Sequence, residues 1–312
     1  MIKVKYLNKA TKKYYLDKSE KFLLKFFDKP ESKKKKEIIK ILQANPSWQL
    51  LYNLSPQRRH LVDWYPFNKK ETLLDIGAGS GSLTGVFCEK LKKVTCLELT
   101  PARAKIIAKR WSDKTNIEVI CGSIEDFNTR ERFDYINLTG VLEYAGRYAK
   151  DLHSSENFLK MPLVFIKKAK RLLKKGGKLL VAIENPLGIR YLTGAVEDHT
   201  AELFESVENF PQYSGARTFT KEELKALLLD QGFSNIEYYY PIPDYKLPWL
   251  VINEEYLDNL NSNSLSSLLK TVEYDHYPKF DVFTESPFAH QLAKEKLLSS
   301  FMNSFFVVAQ KR

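Results

Sequence analysis

The sequence predicts an α/β fold with a doubly wound, mostly parallel sheet. From about residue 70 onward, short apolar segments alternate with helical patterns at the spacing of strand–helix–strand units. The first of these segments, "TLLDIGA", runs directly into a glycine-rich turn. The chain has 312 residues, of which 44% are hydrophobic. That is enough to bury the core of one large α/β domain with additions.

Residues 1–45 form a lysine-rich segment, the front segment, which we expect to be a helical extension. It holds 14 Lys against 5 Asp and Glu, and therefore most of the chain's net charge of +11. "SEKFLLKFF" is amphipathic with Ser19 as a candidate N-cap, and a second helix is expected to stop before Pro46. Two interpretations stay open: a solvated helical face, which is the commoner outcome, or a surface that binds an anionic partner.

Seven segments are typical of strands: "TLLDIGA", "VTCLEL", "IEVICG", "FDYINLTGV", "KLLVAIEN", "FSNIEYYYP" and "NSFFVVAQKR". Helical patterns lie between them. One begins at Thr100 and Pro101, and another has a capping box of Thr220 and Glu223. A third is expected to end at the Gly-Gly pair in "RLLKKGG".

The order of these segments predicts the domain organisation. We expect an extension over 1–45 and a main domain over 46–312. Within the main domain, the core covers 70–240, a cap or insertion covers 241–300, and a final strand covers 303–310.

Composition excludes several classes of protein. No run of eighteen apolar residues predicts a membrane span, and the basic N-terminus lacks a secretory signal pattern. Cys88, Cys96 and Cys121 are scattered, which indicates neither a disulfide framework nor a zinc site. We therefore expect a cytoplasmic protein, with a peripheral position at the inner membrane face as an alternative for the front segment.

The stretch "LLDIGAGSG" predicts a cofactor site. Its glycines, Gly77, Gly79 and Gly81, follow G-x-G-x-G, whereas a dinucleotide site prefers G-x-G-x-x-G. Asp75 precedes them at the strand end, where a carboxylate suits the ammonium group of S-adenosylmethionine. Glu98 lies at the end of the second strand and can hold a ribose diol of either ligand. The spacing favours S-adenosylmethionine.

Further residues are expected near the same ligand. Ser123 and Ile124 follow the third strand, where an adenine ring would lie. Tyr52, Arg58 and Arg59 are candidates for closing over the cofactor's carboxylate, although a helix that packs on the sheet and shows arginine to solvent is slightly favoured. The complete set of candidate cofactor residues is Asp75, Gly77, Ala78, Gly79, Gly81, Glu98, Leu99, Ser123, Ile124, Thr139, Gly140, Tyr52 and Arg58.

The segment from Leu73 to Asn185 resembles the class I S-adenosylmethionine-dependent methyltransferases. "LLDIGAGSG", "CLEL", "CGSIEDF", "FDYINLTGVLEYA" and "LLKKGGKLLVAIEN" resemble successive family motifs. The resemblance implies a Rossmann-like methyltransferase fold of seven strands with the last one antiparallel. It also implies S-adenosylmethionine as cofactor and S-adenosylhomocysteine as product. Ser123 departs from the family, since many members have Asp there.

A second resemblance concerns the acceptor. "IENPLGIRYLTGAVEDHT" and "YYPIPDYKLP" look like bacterial methyltransferases of surface-polysaccharide synthesis, which are sometimes joined to glycosyltransferases. This implies a sugar or other small hydroxyl-bearing acceptor and a glycosyltransferase as a candidate partner. "NLTGVLEYA" lacks the Asn/Asp-Pro-Pro-Tyr pattern of nucleobase N-methylases, so a nucleic-acid acceptor is disfavoured.

An alcohol acceptor must lose a proton, so we looked for a general base. His199 in "AVEDHT" is the first candidate, oriented by Asp198 or Glu197, and packing on an aromatic ring is its alternative role. Glu143 is the second candidate. Glu184 and Asn185 are expected to border the acceptor. No His, Asp or Glu residues stand at metal-ligand spacing, so we expect no metal site.

Three other functions stay open at this point. An RNA methyltransferase would use the front segment to contact phosphates. A non-catalytic partner protein would bind S-adenosylmethionine without turnover. A nicotinamide-dependent dehydrogenase is disfavoured by the glycine spacing.

Overall fold

The computed structural model describes residues 2–7, 16–44, 46–148, 155–211, 215–260, 280 and 282–312. The helices are α1 (Lys18–Phe26), α2 (Glu31–Gln43), α3 (Trp48–Leu54), α4 (Thr84–Lys90), α5 (Pro101–Arg110), α6 (Ser155–Leu172), α7 (Ile189–Leu192), α8 (Lys221–Asp230), α9 (Glu254–Asp258), α10 (Glu285–Lys294) and α11 (Leu298–Phe301). Short 3-10 helices cover Pro56–Leu61 and Leu142–Tyr148.

The strands are β1 (Val4–Tyr6), β2 (Thr72–Ile76), β3 (Lys93–Glu98), β4 (Ile117–Cys121), β5 (Phe133–Thr139), β6 (Leu173–Glu184), β7 (Phe233–Ile242), β8 (Leu250–Asn253) and β9 (Ser304–Lys311). Over the described residues they form a nine-stranded sheet in the order β1-β4-β3-β2-β5-β6-β9-β7-β8. The pairs β1–β4, β4–β3, β3–β2 and β2–β5 are parallel, whereas β7 is antiparallel to both β9 and β8. The predicted α/β class and the antiparallel last strand are confirmed.

The sheet is larger than the seven strands that the sequence predicts. β1 lies in the front segment, which was expected to be helical, and β8 lies in the predicted insertion. Both stand at the edges of the sheet and have only three and four residues. A strand of three or four residues is too short to show an alternating pattern in the sequence. Such a strand forms at the edge of a sheet because the neighbouring strand supplies its hydrogen bonds.

The chain divides into two compact units. The first contains residues 1–138 and 171–178, and the second contains 139–170 and 179–312. The predicted division into an extension, a core and an insertion is a different partition of the chain, and it stays a proposal.

In the first unit, the front segment takes part in a hydrophobic core. Leu23, Phe26 and Phe27 of α1 and its C-cap pack with Leu54 and with Ile106 of α5. At the edge of the sheet, β1 pairs with β4 in the register of Val4 with Val119. The front segment is therefore more than a lysine-rich surface, because it buries apolar side chains of α5.

Local signals explain where several helices begin. α1 is capped by Asp17, whose side chain accepts a hydrogen bond from the Glu20 amide, so the expected N-cap Ser19 is wrong. In the second unit, α8 has the predicted capping box of Thr220 and Glu223. The buried side chains of Phe219 and Leu224 flank that box.

The junction of α6 and β6 differs from the prediction. α6 ends at Leu172, and β6 begins at the next residue and includes both glycines of the Gly-Gly pair. Gly176 has a φ of +74°. A Cβ at Gly177 would lie 3.0 Å from the Asp134 carbonyl oxygen. The pair therefore serves a close approach of backbones rather than the end of the helix.

Among the helices in the described ranges, none combines the length and apolarity that crossing a membrane requires. Cys88, Cys96 and Cys121 all lie in the described part of the chain as buried, free thiols.

The core that contains α1 yields a test of the front segment. Replacing Leu23, which is 1% exposed, with Ala should lower the free energy of unfolding by about 2–5 kcal/mol, because it removes buried methyl groups and leaves a cavity. Leu229→Ala on α8 is the matched control, since Leu229 is 46% exposed, and should change it by less than about 1 kcal/mol. Urea unfolding measures both. Equal effects of the two substitutions would show that the front segment is not part of the core.

Candidate functional site

The glycine turn in the first unit follows the carboxyl end of β2. The amide of Gly77 donates to the carbonyl oxygen of Leu97 at 2.8 Å, and that of Gly81 to Ala78 at 3.0 Å. Gly79 has a φ of +58°, and a Cβ placed there would meet no atom within 4 Å. The turn therefore needs glycine for its backbone angle and presents open space beside Gly79, as a backbone that admits a ligand should.

Asp75 is buried at the end of β2, with 3% exposure. It pairs in register with Asn137 on β5, and the Asn137 side-chain amide donates to its Oδ1 at 2.7 Å. Burial raises the pKa of Asp75 to about 7, with Glu98 adding to the rise and Asn137 and Arg58 opposing it. A cationic ligand beside this carboxyl group would stabilise its ionised form and lower its pKa again.

Glu98 ends β3 and joins the glycine turn. Its Oε2 accepts a hydrogen bond from the Gly79 amide at 2.8 Å. Its Oε1 accepts from the amide and the hydroxyl of Thr100 at 2.8 and 3.0 Å. Burial raises its pKa despite these bonds. Two of the predicted cofactor residues, Gly79 and Glu98, are thus in direct contact in the first unit.

The charge of Arg58 lowers the pKa of Asp75 and partly offsets the effect of burial. Only 2% of Arg58 is exposed, and its guanidinium carbon lies 4.5 Å from the centroid of the Tyr52 ring. The solvent-facing arginine is instead Arg59, which pairs with Asp63 and Glu89. The expectation that this helix shows arginine to solvent therefore holds for Arg59 and not for Arg58, and no contact of either residue with a cofactor follows from that.

The other predicted cofactor residues occupy varied positions. The Ser123 hydroxyl donates to Asp126 Oδ2 at 3.1 Å. Ile124 is buried, whereas Leu99 is 42% exposed. Ala78 lies within the glycine turn, where its amide donates to Leu97. In the second unit, Thr139 ends β5 and is followed by Gly140, which has a φ of +67°.

Two residues that support the glycine turn were not predicted. The indole of Trp111 donates to the Gly81 carbonyl oxygen at 2.8 Å, and a Cβ at Gly85 would collide with the same indole at 2.2 Å. Arg110 donates to the carbonyl oxygens of Asn53 and Ser80. Arg110 is the last residue of α5 and Trp111 is its C-cap. The sequence "KRW" is typical of any helix end, so it gives no signal that these two residues support the glycine turn.

The second unit holds a buried group of Glu143, Glu184 and His199, which we call the carboxylate–histidine cluster. Each residue offers a ligand atom, and these atoms all lie within 4.8 Å of one another. Glu143 and Glu184 are each 2% exposed, and the side chain of His199 is 4% exposed. The fold brings together residues that are 41 and 15 positions apart, which is why spacing along the sequence did not reveal the cluster.

Glu197 orients His199. The ring Nδ1 of His199 lies 2.7 Å from Glu197 Oε1, and the His199 amide donates to Glu197 Oε2 at 2.6 Å. Because a carboxylate accepts, Nδ1 carries the proton of this bond and Nε2 is the other ring nitrogen. The Tyr144 ring packs edge-on against the imidazole with centroids 5.1 Å apart. His199 therefore packs on an aromatic ring and is also oriented by Glu197, so the two roles that were predicted as alternatives occur together.

Asp198 points away from this role. Its carboxylate accepts from Lys246 Nζ at 2.6 Å, from the Tyr191 hydroxyl at 2.9 Å and from Arg190 Nη2 at 3.3 Å. The ammonium of Lys246 and the guanidinium of Arg190 outweigh burial and hold the pKa of Asp198 far below its usual value. The expectation that Asp198 orients His199 is corrected here, because two cations occupy its oxygens.

Lys246 connects this ion pair to the cluster. Its Nζ also contacts Glu184 Oε1 at 2.8 Å. Beside it, the Tyr245 hydroxyl lies 3.2 Å from Glu184 Oε1 and 3.4 Å from Glu143 Oε1. Neither residue was predicted as a site residue. Their signal was the polar "DYK" inside the otherwise apolar "YYPIPDYKLPWL".

The cluster has unusual electrostatics. Burial, followed by the charge of Glu184, raises the pKa of Glu143 to about 8. Burial opposes ionisation of Glu184 as well, but Lys246 outweighs it and lowers that pKa. Burial alone would lower the pKa of His199, yet Glu197, Glu184 and Glu143 raise it to about 9. Buried groups whose pKa values are shifted by one another in this way are typical of functional sites.

Asn185, which was expected to border the acceptor, is committed elsewhere. It is fully buried, and its side-chain amide donates to the carbonyl oxygens of Ser300 and Met302, both at 2.8 Å. These hydrogen bonds hold the segment that precedes β9.

Comparison with known proteins finds a family that matches part of this chain. Residues 74–181 match the family described as "Methyltransferase domain". A protein named "Probable ribosomal RNA small subunit methyltransferase A" from Methanococcoides burtonii is 38% identical over 64 residues, which cover 20% of this chain and 24% of that protein. A malonyl-acyl-carrier-protein O-methyltransferase from Priestia megaterium is 28% identical over 116 residues, covering 36% of this chain and 37% of that enzyme.

The chain thus spans about a quarter to about two fifths of the length of these two relatives. Among solved structures, a SAM-dependent methyltransferase from Thermotoga maritima has 18% identity and a TM-score of 0.46, with 88% of this chain and 99% of that chain covered. The family match runs from within β2 to within β6 and includes the glycine turn, Asp75 and Glu98. Over residues 74–181, the chain is therefore similar to a methyltransferase domain.

Proposed function

We propose that the whole protein transfers a methyl group from S-adenosylmethionine to an oxygen atom of a small hydroxyl-bearing acceptor. The observation that carries this proposal is the buried carboxylate–histidine cluster, in which Glu197 fixes the imidazole of His199. A methyltransferase domain supplies the donor, and an alcohol acceptor needs a site that assists the loss of its proton.

The first unit contributes the cofactor residues of this proposal. Asp75 binds the ammonium group of the methionine moiety, and Glu98 binds the ribose diol. Gly77, Gly79 and Gly81 keep the turn free of side chains. Arg58 and Tyr52 are assigned to the methionine carboxylate, and Ser123 and Ile124 to the adenine. The raised pKa of Asp75 supports the first assignment, because a bound ammonium would offset the burial of its charge.

The second unit contributes the acceptor residues. In the simplest chemistry, the acceptor oxygen forms a bond to the methyl carbon while the carbon–sulfur bond breaks and its electron pair stays on sulfur. The hydroxyl proton passes to the neutral form of His199, at Nε2, or to the ionised form of Glu143, and Glu197 stabilises the imidazolium through Nδ1. The leaving group is a neutral thioether, which needs no protonation. Holding the acceptor oxygen and the methyl carbon in line therefore supplies much of the rate acceleration. Asp198 acts only by holding Lys246 beside Glu184.

A sugar or glycan precursor is the acceptor class that we favour. Glu143, Glu184, Tyr245 and Lys246 bring hydrogen-bond acceptors and donors to one place, as recognition of neighbouring hydroxyl groups requires. One relative named above is an O-methyltransferase, although its named acceptor is a malonyl carrier protein. The glycosyltransferase partner, the anionic surface and the peripheral position predicted for the front segment remain predictions.

An RNA acceptor is the second candidate, because another relative named above is a ribosomal RNA methyltransferase. That similarity covers 64 residues and 24% of the relative. Such a short match favours the shared domain more than the shared acceptor.

A panel of acceptors tests the proposal. The full chain is incubated with S-adenosylmethionine and, separately, with nucleotide sugars, lipid-linked glycans, malonyl carrier protein and ribosomal RNA. Formation of S-adenosylhomocysteine is then measured. We expect turnover with a hydroxyl acceptor of the first two classes. Turnover with RNA alone would replace the proposal by the second candidate, and cofactor binding without turnover on any class would indicate a non-catalytic protein.

The pair of His199 and Glu197 gives a sharper prediction. His199→Gln should lower kcat by about 100-fold or more, because general acid–base groups contribute roughly that factor. Glu197→Gln should lower kcat less, since it keeps a hydrogen-bond acceptor but loses the charge. Both variants should keep the wild-type affinity for S-adenosylmethionine. The control is the exposed Glu202→Gln. A parallel loss of cofactor affinity in these variants would assign the pair to folding or to cofactor binding.

Asp75→Asn isolates the charge of the cofactor carboxylate. The Asn oxygen can still accept from Asn137, while the buried charge is removed, so thermal stability should be unchanged or higher. Affinity for S-adenosylmethionine, measured by calorimetry, should fall at least about tenfold, which is the range for a hydrogen bond to a charged group. Asp113→Asn at a side chain that is 70% exposed is the control. Unchanged affinity in Asp75→Asn would remove Asp75 from the cofactor site.

A further inference from the structure

We infer that the carboxylate–histidine cluster is a binding site for a divalent transition-metal cation. The inference deepens the proposed function, because it names a ligand of the same cluster, and its test below does not depend on turnover. Sequence spacing gave no reason to expect a metal, since Glu143, Glu184 and His199 come from three separate segments.

The geometry of the donor atoms is the first support. One atom from each residue lies within 4.8 Å of the other two. Donor atoms about 2.1–2.2 Å from a common cation lie at most about 4.4 Å apart. Side-chain shifts of a few tenths of an ångström therefore suffice to place a cation among them. Carboxylates and an imidazole together suit Mn²⁺ or Zn²⁺ better than Mg²⁺, which prefers oxygen ligands.

Two orphaned carboxylate oxygens are the second and independent support. Glu143 Oε2 and Glu184 Oε2 are buried and have no hydrogen-bond partner among the residues that the structure describes. The Oε1 atoms of the same residues meet Tyr245, and that of Glu184 also meets Lys246. Buried oxygens of this kind normally have a partner, and leaving them without one is unfavourable. A cation held by the two Oε2 atoms would supply that partner without displacing a described contact.

The support behind the histidine matches that of a metal ligand. Histidine ligands almost always donate their second ring N–H to a carboxylate or carbonyl, which fixes the ring and its tautomer. His199 Nδ1 has this bond to Glu197, a residue that is only 1% exposed, and Nε2 is thereby the nitrogen offered to the cation. Glu197 is itself held by the amides of His199 and Thr200 at 2.6 and 2.9 Å.

Charge balance points the same way. Among the described residues that these contacts connect, five carboxyl groups face two cationic side chains, Lys246 and Arg190, and one titratable imidazole, His199, which is neutral when it binds a metal; the five are Glu143, Glu184, Glu197, Asp198 and Asp244. Buried carboxylates in excess of their cations are unfavourable unless protons or a further cation neutralise them. A divalent cation would balance most of that excess at the point where the orphaned oxygens lie.

With the cation bound, an acceptor hydroxyl would coordinate it and lose its proton to water. The resulting oxygen would attack the methyl carbon as the carbon–sulfur bond breaks, with the electron pair staying on sulfur. His199 would then act as a ligand instead of taking the proton itself.

Direct cation binding tests the inference. The full chain is freed of metals with a chelator and titrated with MnCl₂ or ZnCl₂ by calorimetry, without cofactor or acceptor. We expect one cation per chain and at least a tenfold weaker binding in Glu143→Gln. Glu143 is the residue to change because it forms no ion pair with any other residue in the described ranges, so the variant should fold; circular dichroism checks this. Glu202→Gln, which changes an exposed Glu, should bind as the wild type does.

Three results would overturn the inference: neither cation binds at millimolar concentration, Glu143→Gln binds as the wild type does, or Glu202→Gln weakens binding equally. A second titration of the same samples with S-adenosylmethionine keeps the two proposals apart. Cofactor binding in a protein that binds neither added cation would overturn the cation site alone. Cation binding without cofactor binding would overturn the proposed function and leave the site.

Discussion

Burial of carboxylates at and just after the ends of strands is the constraint on which the rest of this structure depends. Asp75 and Glu98 lie at the ends of β2 and β3, Glu184 lies at the end of β6, and Glu143 follows β5. All four are at most 4% exposed. Each therefore loses hydration, and the surrounding chain must provide partners that offset the loss. Where partners are incomplete, the pKa rises, as at Asp75 and Glu143.

The two units meet this constraint in different ways. In the first unit, neutral donors meet the carboxylates: Asn137 bonds to Asp75, and the Gly79 amide and Thr100 bond to Glu98. The charges of Arg58 and Arg103 also favour ionisation, but burial still raises both pKa values, so a cationic ligand would stabilise the ionised carboxylates further. In the second unit, Lys246 forms ion pairs with both Glu184 and Asp198, while Glu143 has no ion pair within the described part of the chain. The charge of Glu143 is therefore the least compensated, which is why it is central to both proposals.

The sequence predicted the first of these arrangements much better than the second. Asp75, the glycine turn and Glu98 come from consecutive strand–helix units, and in a parallel sheet the carboxyl ends of neighbouring strands meet at one edge. Local pattern is then sufficient. His199 and Glu143 were also predicted, but as separate candidates, because their meeting with Glu184 depends on how the chain returns after β6. Lys246 lies in a segment with no helical or strand pattern of its own, so its partners Glu184 and Asp198 could not be inferred.

The same distinction explains the fold. Long, strongly patterned strands such as β6 and β9 were predicted, whereas the edge strands β1 and β8 depend on hydrogen bonds from a neighbour. Asp198 shows the corresponding failure at the level of side chains. Asp198 was expected to orient His199 because the two are neighbours in sequence, but its carboxylate accepts hydrogen bonds from Lys246 and Arg190 instead.

The central claim is that the acidic strand ends and the glycine turn of the first unit select S-adenosylmethionine. Parallel calorimetric titrations of the full chain with S-adenosylmethionine, S-adenosylhomocysteine and NAD test it most directly. The account predicts binding of the first two ligands and no binding of NAD, because the turn lacks the G-x-G-x-x-G spacing that a dinucleotide prefers. Binding of NAD alone would contradict it, and the roles of Asp75 and Glu98 would then have to be assigned to a dinucleotide.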